Sequence, residues 1–122
     1  MTVRKQIWGD KAEAIERGLR RLDDDLADLV VDVAYDTVMA RPGLDLKTRE
    51  LLAITALLSV GSDSELKTHI YGALNCGATL GEIKETLLQA ALFVGFPRAM
   101  AGMKVWRQVA DRLEPDPSPD TP

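Results

Sequence analysis

Ten residues, LLAITALLSV from Leu51 to Val60, constrain this chain more than any other feature. Thr55 and Ser59 alone interrupt the run, so a helix built from it is apolar almost all the way round. A helix of that kind has to be buried on every side. A chain of 122 residues supports one hydrophobic core and has no room for a second. A bundle of this size seldom encloses a helix completely, so a subunit interface is expected to cover part of it. The stretch Leu87, Leu88, Ala90, Ala91, Leu92, Phe93 and Val94 makes the same demand. Both point to a homo-oligomer.

The rest of the chain is helical in period. Apolar spacing predicts helices at about 10–22, 24–40, 46–60, 63–76, 80–94 and 97–112, and no alternating strand pattern is bounded by turn residues. The fold class is therefore all-α, about six helices in a single domain over residues 1–113. Arg41-Pro42-Gly43, Gly61 and Gly77 stand where helices should stop. Ser62-Asp63-Ser64-Glu65 and Thr79-Leu80-Gly81-Glu82 each have the capping-box pattern. Pro97 suits a first helical turn. Residues 114–122 hold four of the six prolines and three acids, a composition expected of a disordered tail.

Composition removes several function classes. The net charge is −4, and Glu114, Asp116 and Asp120 in the tail account for three of those charges, which leaves the body near −1. No dense Lys/Arg run is present, so nucleic acid is not an expected partner. No segment approaches the length of a membrane span or of a signal-peptide core. One cysteine cannot form a disulfide within the chain and suits a reducing cytoplasm. One histidine and one cysteine are too few for a zinc site within a single chain.

These two residues share one stretch, SDSELKTHIYGALNCG. At about 100° per residue, Glu65 and His69 fall about 40° apart on one helical face. Cys76 is about 20° from His69, but about 10 Å along the axis, too far for a cysteine–histidine nucleophile pair on this helix. Structural readings compete with functional ones. Glu65 could complete a capping box, His69 edges the Leu66, Ile70, Ala73 stripe, and Cys76 reads as a small buried residue at a helix end. Arg41, Arg49 and Arg98 adjoin helix ends, where each is either a solvated charge or a bidentate partner for a carboxylate.

Three longer pieces carry a resemblance: RPGLDLKTR, ELKTH followed by GALNCGAT, and EIKETLLQAALFVGFPRA. Together, from about Ala40 to Gly102, they resemble the carboxymuconolactone decarboxylase family. The resemblance implies an alkylhydroperoxidase D-like helical fold, a hexameric ring built from dimers, and neither metal nor organic cofactor. One branch of that family decarboxylates 4-carboxymuconolactone in aromatic-compound degradation. The other resembles alkylhydroperoxidase D, with a CxxCxxxH motif and a glutamate on the preceding helix. Laid on that motif, His69 matches the histidine and Glu50 the glutamate, while Ser62 and Glu65 occupy the two cysteine positions. A dithiol cycle needs an attacking and a resolving thiol, and neither is there. Three departures touch the decarboxylase pattern: Cys76 stands in place of a second Asn, Gln89 in place of a frequent histidine, and Glu50 is more like the peroxidase branch. The expected function is decarboxylation of a small carboxylated lactone. His69 would act as general acid/base, helped by Glu65 and Glu50, with Arg49, Ser62 and Cys76 at the substrate. A peroxidase relative and a non-catalytic hexameric binding ring are the alternatives.

Overall fold

A computed structural model describes residues 1–114. Helix α1 spans Val3–Trp8, and a 3₁₀ turn, Gly9–Lys11, leads into α2, Ala12–Leu22. Helix α3, Asp24–Asp28, runs directly into a π-helical segment, Leu29–Met39. The remaining helices are α4, Leu46–Val60, α5, Asp63–Asn75, α6, Leu80–Val94, and α7, Phe96–Leu113. Among the described residues there is no strand, and no helix is long and apolar enough to cross a membrane. The tail assignment for 114–122 falls, apart from Glu114, outside the described residues.

Local chemistry sets most boundaries where expected. Asp45 accepts from the Thr48 N–H and starts α4. Gly61 ends it in the left-handed conformation at φ 78°, which glycine adopts without steric cost. Thr79 and Glu82 form a full capping box at α6, and Pro97 sits in the first turn of α7.

Three expectations need correction. The first is the N-terminus, where α1 forms although six residues are too few to display a helical period. Thr2 caps it, and Ile7 and Trp8 bury themselves against Tyr35. Arg4 ties it down by pairing with Glu16 of α2 at 2.6 Å and Asp36 of the π-helical segment at 3.3 Å. The second is the 24–40 helix, whose latter part is wound more loosely. There the Thr37 hydroxyl donates five residues back, to the Asp32 carbonyl. The third is the capping box at α5: Ser62 is the N-cap but its side chain makes no cap hydrogen bond.

The main core lies between α4, α5, α6 and α7, around Ile54, Leu58, Leu66, Ile70, Ile83, Leu87 and Val109. Gly102 lets α7 approach closely, because a Cβ there would collide with Leu58. A smaller cluster of Ile7, Trp8 and Tyr35 caps one end. The chain does not cover its own apolar helices. Val60 is 75% exposed, Leu92 72% and Phe93 81%, so both stretches singled out in the sequence leave large apolar side chains uncovered.

Candidate active site

Helix α4 places Glu50 in its second turn, facing inward, where it is completely buried. Helix α5, reversed by the Gly61–Ser62 turn, brings His69 alongside. The His69 Nδ1 and Glu50 Oε1 atoms are 2.9 Å apart, a hydrogen bond across 19 residues. One turn further on, Gly72 provides the room. A Cβ at that position would collide with Glu50 Oε1 and lie 2.9 Å from Ile7 Cγ2. The pairing of α1, α4 and α5 therefore depends on a glycine in the middle of a helix, where it costs roughly 0.5–1 kcal/mol relative to alanine.

The other carboxylate oxygen, Oε2, is sealed from solvent with no hydrogen-bond partner among the described residues. A buried polar atom left unpaired costs about 1–3 kcal/mol, more when charged, so packing alone does not account for a glutamate here. Such a group beside a histidine is the arrangement expected of a site that handles protons.

Charge tunes the neighbours in consistent directions. Burial opposes protonation of His69, but the hydrogen bond to Glu50, its charge and that of Glu65 outweigh burial and raise the imidazole pKa. Tyr35 is pushed up to about 12, by burial first and then by Glu50, with a smaller push from Glu65; at neutral pH it is an O–H donor. Cys76 is pushed up to about 11, again by burial first and then by Glu50, so it is a thiol rather than the thiolate a nucleophile or peroxidase requires.

The sequence-derived candidates fall into two groups. Glu50 and His69 meet. Glu65 is exposed in the first turn of α5, near enough for its charge to act on His69. Ser62 is at the N-cap of the same helix and Cys76 at its C-cap, the latter packed against the Ile7, Trp8 and Tyr35 cluster. Arg49 is occupied otherwise: its guanidinium donates to the Leu44 carbonyl at 3.2 Å and the Arg41 carbonyl at 3.0 Å. Gln89 is on an exposed face of α6. Sequence reasoning missed Tyr35, Trp8 and Gly72. Trp8 and Tyr35 pack with ring centroids 4.5 Å apart and planes tilted by 55°, and with Ile7 they form the cluster against which Cys76 packs. A glycine inside an otherwise helical pattern was the one available signal, since it implies close backbone approach.

The model of the carboxymuconolactone decarboxylase family matches residues 24–108. A 4-carboxymuconolactone decarboxylase from Acinetobacter baylyi is 34% identical over 112 residues, 89% of this chain and 82% of that protein. Nitrosuccinic acid decarboxylase npaB from Metarhizium robertsii is 37% identical over 114 residues, 91% of this chain and 78% of that protein. An uncharacterized 15.0 kDa protein from Paracoccus denitrificans is 30% identical over 95 residues, 76% of this chain and 71% of that protein.

Proposed function

The chain belongs to the carboxymuconolactone decarboxylase family, and from that premise we propose that it is a decarboxylase of a small acid whose carboxylate adjoins an electron-accepting group. The observation that carries this reading is the Glu50–His69 pair, an imidazole held at 2.9 Å by a fully buried carboxylate. The two named relatives act on a carboxylated lactone and on nitrosuccinic acid. Conjugated carbonyl and nitro groups can both accept the electron pair released with CO2.

The chemistry follows from that class. The carbon–carboxylate bond breaks, CO2 leaves, and its electron pair moves into the neighbouring acceptor. A new C–H bond then forms with a proton delivered by His69. A positioned acid is worth about 10²–10⁴-fold in such a step. With Nδ1 engaged by Glu50, Nε2 is the nitrogen left to deliver the proton, and solvent restores it afterwards. Glu50 fixes the ring and favours its charged form, and Glu65 adds to that field. In this reading Arg49 braces the 41–45 loop rather than the substrate. A carboxymuconolactone substrate would place the reaction in aromatic-compound degradation, and the uncovered faces of α4 and α6 would be closed by further copies of the chain, six in the ring the resemblance implies.

The test is CO2 release from 4-carboxymuconolactone and from nitrosuccinate, with an organic hydroperoxide plus thiol reductant as a third arm. Turnover is expected on one of the acids and not on the hydroperoxide. His69→Ala should abolish it, and Cys76→Ser should leave it within a few-fold. Decarboxylation that survives His69→Ala would remove the proposed acid, and hydroperoxide reduction that depends on Cys76 would replace the reading altogether.

A further inference from the structure

A cavity lies behind the Glu50–His69 pair. It measures about 420 Å³ and is lined by residues of α1, the 3₁₀ turn, α2, α5 and the end of α7. That is within the roughly 300–1,000 Å³ typical of small-molecule sites. Neither His69 nor Glu50 lines it. Its α5 residues Lys67, Tyr71 and Asn75 lie about 120–160° round the helix from His69. Gly72 belongs to both places: it lines the cavity and its Cα side abuts Glu50. The two sites therefore stand back to back across one helix.

The lining has a consistent chemistry. Lys11, Lys67 and Arg112 reach it from three different elements, and none of them is ion-paired among the described residues. Asp10 is the single carboxylate in the lining, which leaves an excess of two positive charges. Ile7, Trp8 and Ile15 supply an apolar surface. Tyr71 lines it as well, with a hydroxyl that is shielded from solvent and therefore closed to a ligand in this arrangement. Unpaired cations beside an apolar wall in one concave space match an organic anion better than an inorganic one. Arginine and lysine take the carboxylates, and the wall takes the carbon chain.

We propose that this cavity is a second binding site for a small organic carboxylate, distinct from the Glu50–His69 pair. It would accept acids of about the size of a six-carbon dicarboxylate, and its occupancy does not depend on turnover.

Uniformly ¹⁵N-labelled protein titrated with adipate tests this, followed through its two indole N–H signals. Trp8 lines the cavity. Trp106 does not, and its Nε1 donates to the Leu80 carbonyl, so it serves as internal control. The Trp8 signal is expected to shift and saturate in roughly the millimolar range while Trp106 stays. Lys67→Glu with Arg112→Glu should weaken binding by more than about tenfold, and the milder Lys67→Gln with Lys11→Gln should weaken it detectably should the first pair not fold. His69→Ala should bind as the parent does. The proposal is overturned if Trp8 does not saturate, if sulfate or chloride at equal ionic strength reproduces its shift, or if the folded cation variants bind as tightly as the parent. Loss of the shift in His69→Ala would assign the binding to the catalytic pair instead.

Discussion

Glu50 has one oxygen in a hydrogen bond and the other in none, and that asymmetry makes His69 the residue most sensitive to its removal. In Glu50→Gln, burial still disfavours the imidazolium while the principal raising influence is gone, so the His69 pKa falls. If His69 is the acid, the alkaline limb of the kcat/KM profile moves to lower pH; a limb that stays in place would exclude it. Stability follows the same sign. A native histidine pKa above the unfolded value stabilises fully below about 6.5 and loses that contribution as pH rises through the native value. Urea midpoints should show the advantage of the parent over Glu50→Gln shrinking with pH across that window, and an advantage that grew would contradict the pairing. Gly72→Ala tests the clearance itself. The added methyl meets Glu50 and Ile7, and overpacking of this kind costs about 1–3 kcal/mol, which thermal unfolding would register; a melting temperature equal to the parent would mean α1 and α5 have slack. Glu50 and His69 were both legible, named by the family resemblance, whereas spacing alone set His69 beside Glu65. Gly72 and Tyr35 were not, since their importance arises from chain segments brought together only in the folded state.

Helix boundaries were legible wherever one residue sets them. Thr79 and Ser62 looked alike in sequence, yet only Thr79 accepts from the backbone and is answered by its glutamate. Thr79→Ala should therefore cost about 1 kcal/mol, and Ser62→Ala should stay within about 0.5 kcal/mol, read as a pair by urea denaturation. Equal losses would mean that Ser62 caps α5 after all. Two elements could not be read. Helix α1 is held by Ile7 and Trp8 packing on Tyr35 and by Arg4, which are tertiary causes. The π-helical winding of Leu29–Met39 alters the number of residues per turn without altering which residues are apolar, so hydrophobic pattern alone reported simply a helix.

The molecule as a whole is folded around one core and left open on two faces. Phe93, Leu92 and Val60 are mostly exposed, and apolar side chains of that size are expected to be covered by a partner. Light scattering at micromolar concentration should give a multiple of 13.4 kDa, and Phe93→Lys should reduce it. A parent at the single-chain mass would refute self-association. A different consequence comes from the meeting of α4 and α5 at the chain's one histidine. Its ring is hydrogen-bonded to one helix while carried by the other, so its proton resonance needs no assignment experiment and moves whenever those helices move. A single unlabelled NMR signal can thus track titration, denaturation and association of the entire protein, and can show which of them happens first.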